Sequence, residues 1–330
     1  MEVKNVKIAD ATQGFLEGYF STCRRSAKTR SAYKTDLAQL AEHLGPELTL
    51  GDVTAEVLEK WASELRSQEY HSVSIRRKFA TARVFFSYWL RKGAIGSSPL
   101  WKIRLDLGRE RFLPRSLSAS DAKHLMEAGW AALGVSDQAV DQAVRAPRDS
   151  QFLELRNLAA LEILFATGIR VGELVSLNIK DWNEEDASFV VNGKGSRQRL
   201  AFLPDERSQK AVQLYGVSRR GIAADNDALF LNAAGGRLST QGVARMLNEY
   251  AKTAGIAVKV TPHMIRHTVA TLLLRFGADI RVVQEVLGHA SISTTQRYTY
   301  VSKEHMLSTL RARHPSYHLN IEITPMKLAS

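Results

Sequence analysis

Apolar residues recur at helical spacing through the first third of the chain. Leu37, Leu40 and Leu44 lie three or four positions apart, and residues 58–65 carry a second stripe of the same period. In residues 72–91 most of the basic side chains fall off the apolar stripe. Such a period indicates amphipathic helices that each bury one face. The pattern predicts a helical domain over residues 1–106.

Glycine, proline and charged residues mark the end of that domain. Gly93, Gly96 and Pro99 end the last helix, and the charged stretch that follows has no clear period. The predicted divisions after this point are a linker (107–117), a second domain (118–313) and a C-terminal tail (314–330).

The second domain combines helices with one hairpin. Residues 153–167 are strongly apolar and end at Gly168, which predicts a buried helix, and residues 188–203 alternate as two strands around the turn Asn-Gly-Lys-Gly. Residues 229–236 suggest a further short strand or loop. Further helices are predicted through residues 243–254, 266–275 and 282–287. The fold is therefore expected to be mainly α with a small β-sheet. The polar residues 130–150 are expected to form a surface excursion.

Charge narrows the choice of partner. The 330 residues carry 45 Lys and Arg against 34 Asp and Glu, a net charge of +11. Residues 1–113 hold 19 basic and 13 acidic side chains, over half of that excess. A field of this sign favours a polyanion, with nucleic acid first.

The basic residues of the helical domain have two interpretations. A charged face on a core helix is usually only solvated, but the clustering favours a domain that grips DNA through its phosphates. The predicted DNA contacts, with two from the hairpin, are Arg24, Arg25, Lys28, Arg30, Arg76, Arg77, Lys78, Arg83, Arg197 and Arg199.

Other sequence features bear on the compartment. No apolar run approaches the roughly 20 residues of a spanning helix, and the first residues do not form a secretory signal. The single cysteine, Cys23, excludes an internal disulfide and suits a reducing cytoplasm. We expect a cytoplasmic protein with no membrane partner.

Residues 261–300 hold the candidate chemistry: His263, Arg266, His289 and Tyr298. A phosphate gains negative charge as it becomes five-coordinate, and the forked donors of arginine match that charge. A phenol is a nucleophile of ordinary pKa about 10 that needs a neighbour to take its proton, and histidine is a candidate for that role. The set predicts phosphodiester cleavage without a metal or other cofactor. Tyr300 competes with Tyr298 for the nucleophile.

The spacing of two histidines in this segment is also compatible with a metal site. His263 and His267 lie at a zinc-ligand spacing, but the metalloprotease pattern needs a glutamate where Met264 stands. Arg266 would also place a positive charge beside any cation. We expect no metal.

Two more basic residues are candidates with ordinary alternatives. Arg170 follows a glycine turn at the start of a helix, where backbone N–H groups favour an anion, and an ion pair with Glu173 would orient its guanidinium. Lys194 lies in the hairpin turn between two glycines, a position where a lysine is most often only solvated.

Five segments together resemble the successive active-site boxes of the tyrosine recombinase (phage integrase) family, especially its Xer-like bacterial members. They are Ala-Thr-Gly-Ile-Arg-Val-Gly-Glu-Leu at 166–174, Gly-Lys-Gly at 193–195, His-Met-Ile-Arg-His at 263–267, Leu-Gly-His at 287–289 and Thr-Thr-Gln-Arg-Tyr at 294–298. Residues 29–37 and 74–86 resemble the helical core-binding domain of the same family. The resemblance implies that domain followed by an α+β catalytic domain.

The resemblance also implies roles for the candidate residues. Tyr298 attacks the phosphate to give a 3′-phosphotyrosyl bond, Arg170 and Arg266 bind the non-bridging oxygens, Lys194 is the acid for the leaving 5′-oxygen, His263 assists the tyrosine, and His289 donates to the phosphate. It further implies a homotetramer on double-stranded DNA with specific sites, strand exchange through a Holliday junction, and a cyclically exchanged C-terminal segment, with residues 302–313 as the exchanged helix and the tail as a docking element. The sequence leaves open whether a second recombinase or accessory proteins join this tetramer.

Other functions stay open at this stage. Residues 130–150 appear longer than the family's usual link, and the tail is less familiar. A type IB topoisomerase shares the chemistry but works as one subunit. A non-catalytic DNA-binding protein on the same fold would show a damaged chemical set, and none is visible. A metal-dependent nuclease would need clustered carboxylates.

Overall fold

The computed structural model describes residues 6–23, 27–107, 116–133, 148–193, 198–222, 226–288 and 303–321. Its contacts divide the chain into two compact units, Met1–Phe112 and Leu113–Ser330. The predicted linker, 107–117, spans this division, and most of it lies outside the described residues. No helix in the described part of the chain has the length and hydrophobicity needed to cross a membrane.

The first unit is helical, as the apolar spacing predicts. Its elements are α1 (Ile8–Thr22), α2 (Ala27–Leu44), α3 (Ala55–Ser67), α4 (Ser72–Arg91) and a 3₁₀ turn (Pro99–Trp101). The apolar faces meet in one core that includes Leu37, Trp61 and Phe79. Aromatic rings fill the space between α1 and α4, where Phe15 packs edge-on against Phe85 at a centroid distance of 5.5 Å. Rings of this size contribute a large buried apolar area to a small domain.

The second unit is built around one buried helix. Its helices are α5 (Ala119–Leu133), α6 (Ser150–Thr167), α7 (Val171–Ser176), α8 (Glu206–Arg220), α9 (Thr240–Thr253), α10 (Pro262–Arg275), α11 (Ile280–Leu287), α12 (Lys303–Arg313) and α13 (Pro315–His318). Helix α6 contacts α5, α8, α9 and α10, and its residues from Leu158 to Thr167 are all buried. A helix that is apolar all round needs such cover on every side, and this explains why its sequence has so little polar face.

A small antiparallel sheet lies beside this helix. Strands β1 (Trp182–Asn183), β2 (Ser188–Asn192) and β3 (Gln198–Phe202) are hydrogen-bonded in the order β1-β2-β3. Asn192 pairs with Gln198 and Ser188 with Phe202, so the predicted hairpin is present. A short strand or a loop was expected at residues 229–236, and residues 228–237 form a loop with isolated β-bridges. The observed fold confirms the mainly helical class with a small sheet.

The C-terminal helices pack on the second unit of their own chain. Met306 and Leu310 of α12 and Leu319 after α13 belong to its hydrophobic core. His314 is fully buried, and the Tyr317 hydroxyl donates to the carbonyl oxygen of Pro204 at 2.5 Å. The described part of the predicted tail, 314–321, is therefore continuous with this core. Residues 322–330 lie outside the described residues.

Candidate active site

Two left-handed glycines shape the centre of the candidate site. Gly168 ends α6 with φ 57°, and Gly288 ends α11 with φ 63°. Both conformations are inexpensive only for a residue without Cβ. A Cβ added at Gly168 would lie 2.4 Å from Cδ2 of Leu287. The two turns therefore touch each other, although they lie far apart in sequence.

Arg266 joins these two turns from α10. The helix begins with the Thr261 hydroxyl accepting from the Met264 N–H at 3.2 Å and with Pro262 in its first turn, a sequence typical of a helix start. Nη1 of Arg266 donates to the carbonyl oxygen of Gly168 at 2.6 Å, and Nη2 donates to that of Leu287 at 2.7 Å.

The surroundings of the Arg266 guanidinium disfavour its charged form. Burial, and then the like charges of Arg170 and Arg199, lower the pKa of Arg266 to about 10. It is still a cation at neutral pH. Because a buried cation is unfavourable and the charge of Glu173 only partly offsets the lowering of the Arg266 pKa, a bound anion would stabilise the charged form of Arg266.

Arg170 reaches the second turn from the start of α7. Its Nη1 donates to Oε1 of Glu173 at 2.8 Å, and its Nη2 donates to the carbonyl oxygen of Gly288 at 3.0 Å. Oε2 of Glu173 also accepts from the Arg170 backbone N–H at 3.2 Å. The predicted ion pair thus exists and orients the guanidinium, whose side chain is 38% exposed. Arg170 is the more accessible of the two predicted arginines.

A third arginine lies in the same cluster. Nη2 of Arg199, on β3, donates to Oε2 of Glu173 at 2.9 Å. Burial would raise the pKa of Glu173, but the hydrogen bonds and charges of Arg199 and then Arg170 outweigh it and leave the pKa below its ordinary value. Arg199 was predicted as a DNA contact, and its place beside Arg170 in the candidate site was missed. Strand alternation carried the signal, since Arg199 shares the strand face of buried Ala201.

The predicted histidines on α10 have different surroundings. His263 is exposed in the first turn of the helix, three residues before Arg266 and so on the same side of it. His267 is half-buried. Within the described part of the chain, no three His, Cys, Asp or Glu side chains are grouped so that they could hold a metal ion.

Several predicted residues lie outside the described residues: Lys194, His289, Tyr298, Tyr300, Arg24, Arg25, Arg197 and the side chain of Lys28. Two of the predicted catalytic residues among them adjoin described positions. His289 follows Gly288 directly in the sequence. Lys194 follows Gly193, at the end of β2.

The predicted DNA contacts of the first unit divide by exposure. Arg30, Arg76 and Arg83 are exposed. Arg77 is half-exposed and ion-paired with Asp36.

Lys78 requires a correction, because it is only 2% exposed and its ammonium binds Gln39 and Asp36. An ammonium in the core needs such partners, and a surface phosphate cannot reach it. The prediction of Lys78 as a DNA contact was wrong. The helical period carried the warning, since Lys78 lies between Ile75 and Ala82 on the buried face.

Comparison with known proteins identifies both units. Residues 135–305 match the phage integrase family, and residues 12–93 match the N-terminal SAM-like domain of phage integrases. The tyrosine recombinase XerC of Thermodesulfovibrio yellowstonii is 33% identical over 296 residues, which cover 88% of this chain and 91% of the relative. The XerC of Pelobacter propionicus is 35% identical over 294 residues, covering 88% and 90%.

Solved structures share the fold. The XerH recombinase bound to its palindromic difH substrate in a post-cleavage complex aligns with a TM-score of 0.66 at 20% identity, over 95% of this chain and 82% of that one. A lambda integrase tetramer bound to a Holliday junction aligns with a TM-score of 0.65 at 16% identity, over 91% and 82%. With the arginine cluster and the matched sequence boxes, these findings show that the chain belongs to the phage integrase family of tyrosine recombinases, enzymes that cleave and rejoin DNA.

Proposed function

We propose that this recombinase cleaves one strand at a specific DNA site through a 3′-phosphotyrosyl bond to Tyr298 and exchanges strands through a Holliday junction. The observation that carries the proposal is the convergence of Arg170, Arg266 and the turn before His289. Arg170 lies 118 residues before Gly288, and Arg266 lies 21 residues before Leu287. Each arginine nevertheless donates a hydrogen bond directly to the carbonyl oxygen of that residue. A phosphate placed against Arg170 would meet guanidinium donors that the protein has already oriented.

The arginines have donors left for this phosphate. A guanidinium carries five N–H groups, and Arg266 and Arg170 each direct two of them to the protein. The remaining donors can bind non-bridging oxygens, whose negative charge grows in the transition state. Donors fixed in advance on developing charge are usually the largest single contribution to catalysis.

Proton transfer is assigned to the other residues of the set. Tyr298 attacks phosphorus, and the bond from phosphorus to the 5′-oxygen breaks. Lys194 donates a proton to that leaving oxygen, His263 assists removal of the phenolic proton, and His289 donates a hydrogen bond to the phosphate. Because the phosphotyrosyl ester replaces a phosphodiester, a 5′-hydroxyl of another duplex can attack it without ATP.

The assembly follows from the number of strands. One protomer cleaves one strand, so exchange between two duplexes needs four active sites. The structural relatives named above include a recombinase on its DNA substrate and a tetramer on a Holliday junction. We propose a homotetramer on double-stranded DNA, with the exposed arginines of the first unit as phosphate contacts, the cytoplasm as its compartment, and a second recombinase or accessory protein as an optional addition.

A nicked suicide substrate tests the chemistry. Wild type in EDTA should form a covalent protein–DNA adduct, and Tyr298→Phe should form none. An adduct that survives this change would move the nucleophile to another residue such as Tyr300. An adduct that requires a divalent cation would contradict the metal-free mechanism.

Arginine variants separate chemistry from DNA affinity. Arg170→Ala and Arg266→Ala should abolish adduct formation with little loss of DNA affinity, while the matched Arg220→Ala, at an exposed position of α8, should cleave as wild type. Equal losses of cleavage and affinity would make the two arginines phosphate-grip residues. Relaxation of supercoiled DNA by a monomer, without joint products, would favour a topoisomerase.

A further inference from the structure

Arg199 occupies an unusual position for a DNA contact. Its side chain is only 11% exposed, and that of its partner Glu173 is 9% exposed. Strand β3 places it opposite Val191 of β2, which is fully buried. A residue that gripped the DNA backbone would need its guanidinium at the surface. Arg199 instead directs its guanidinium into the domain.

Glu173 lies between two guanidinium groups. Oε1 accepts from Arg170 at 2.8 Å, and Oε2 accepts from Arg199 at 2.9 Å. With one guanidinium on each oxygen, the carboxylate has a fixed plane, and this plane in turn fixes Arg170. The removal of Arg199 would leave Oε2 with only the backbone N–H of Arg170, at 3.2 Å, and the carboxylate could then rotate toward the Arg170 guanidinium and form a forked pair with it.

That rotation would change the charge offered to the phosphate. Arg170, Arg199, Arg266 and Glu173 together carry a formal charge of +2, and without Arg199 they carry +1. The charge of Arg170 would then be largely neutralised by Glu173. A five-coordinate phosphorus intermediate carries more negative charge than the ground state, so the loss would weigh most on the transition state.

Arg199 also supports the second turn of the site. A Cβ added at Gly288 would lie 2.9 Å from both Cδ and Nε of Arg199 and 3.2 Å from its Cζ. The side chain therefore lies directly against this glycine, whose carbonyl oxygen accepts from Arg170. Loss of Arg199 would leave a void beside the turn that leads into His289.

We propose that Arg199 is a positioning residue for strand cleavage, which acts by holding Glu173, and through it Arg170, and by supporting the Gly288 turn. This inference rests on the proposed function, because it concerns the same phosphate site. It predicts a specific requirement for arginine. A lysine can supply the charge to Glu173, but its ammonium lacks the planar group that covers Gly288.

The test is a double-mutant cycle with Glu173, read as single-turnover cleavage of the suicide substrate and, separately, as DNA affinity. Arg199→Ala should slow cleavage by about 100-fold, the scale of a displacement of about 1 Å in a catalytic group. DNA affinity should stay within twofold of wild type, and the salt dependence of binding should not change. Arg199→Lys should recover part of the rate.

The cycle itself isolates the route through Glu173. In this proposal, Arg199→Ala slows cleavage because the Glu173 carboxylate rotates toward Arg170 and neutralises its charge. Arg199→Ala should therefore slow cleavage much less in a Glu173→Gln background than in wild type. Fully multiplicative effects would overturn the inference, as would a loss of affinity equal to the loss of rate with a salt slope reduced by about one.

Two controls keep the outcomes separate. If Arg199→Ala does not fold, as judged by thermal melting, Arg199→Lys and Arg199→Met carry the same comparison. If wild type itself forms no adduct, the proposed function fails. If wild type forms the adduct and Arg199→Ala cleaves at the same rate, only the role of Arg199 fails.

Discussion

The contact between the two glycine turns leads to a quantitative prediction for Gly168→Ala. Gly168 has φ 57°, and an added Cβ would lie 2.4 Å from Cδ2 of Leu287 and 3.6 Å from Cγ1 of Val269. The carbonyl oxygens of both Gly168 and Leu287 accept from Arg266. A methyl group at this position should therefore disturb stability and the arginine together.

The expected loss of unfolding free energy in Gly168→Ala has two parts. An L-residue in the left-handed region costs roughly 1–2 kcal/mol, and overpacking of a filled core costs about 1–3 kcal/mol. Gly255 provides a matched control in the same unit, with φ 68° and no described atom within 4 Å of an added Cβ. Gly255→Ala should show the first part alone, whereas Gly168→Ala should lose about 2–5 kcal/mol in all.

Thermal melting and cleavage of the suicide substrate measure the two effects. In a domain of this size 1 kcal/mol corresponds to a shift in Tm of about 2–4 °C, so the two variants should be resolved. Gly168→Ala should also cleave more slowly, below its own Tm, while Gly255→Ala should cleave as wild type. Equal shifts in Tm, or wild-type cleavage by Gly168→Ala, would refute the claim that this contact positions Arg266.

Further predictions concern buried charges away from the cleavage site. Asp36→Asn should cost about 3–5 kcal/mol, since it leaves the ammonium of Lys78 buried without a counter-charge; a urea-unfolding change below 0.5 kcal/mol, on the scale of a surface substitution, would contradict this. Burial raises the pKa of Glu162 to about 7, so the folded state binds the extra proton. This residue should therefore remove roughly 4 kcal/mol of stability as pH rises from below about 4.3 to above about 7. Glu162→Gln should abolish that contribution, which is measured as the wild-type-minus-variant difference in unfolding free energy against pH. Burial lowers the pKa of His314 to about 4, so the free energy of unfolding should fall as pH drops from about 6.5 toward 4 and the unfolded state takes up the proton. In thermal melts, His314→Asn should lose part of this acid dependence, and an unchanged acid dependence would contradict the role of His314.

The sequence predicted the local structure well where one period dominated. The helical spacing of the first domain, the hairpin at 188–203 and the buried helix that ends at Gly168 are all present. These elements depend on contacts between residues close in sequence, or on one apolar face, and both leave a repeating pattern.

The side-chain predictions were weaker because they relied on residue type alone. Lys78 and Arg199 were both assigned to DNA because they are basic. Their periodic positions put each on a buried face, which a basic side chain occupies only if it has partners there. Those partners, Asp36 and Glu173, come from elements that no short motif connects to them.

The organisation of the site could not be read from its side chains. Arg266 binds the carbonyl oxygens of residues 168 and 287, and Arg170 binds that of residue 288 besides the carboxylate of Glu173. Every residue carries such a carbonyl oxygen. Only the two left-handed glycines leave a mark in the sequence, and that mark is shared with many helix ends. The same two guanidinium groups thus hold the turns together and, in the proposed mechanism, bind the phosphate through their remaining donors. A change at Arg266 should accordingly lower both Tm and cleavage, whereas Arg170, more exposed and at the edge of the cluster, should lose cleavage with a smaller loss of stability. Comparison of the two arginines, each replaced by alanine, separates construction of the site from its chemistry.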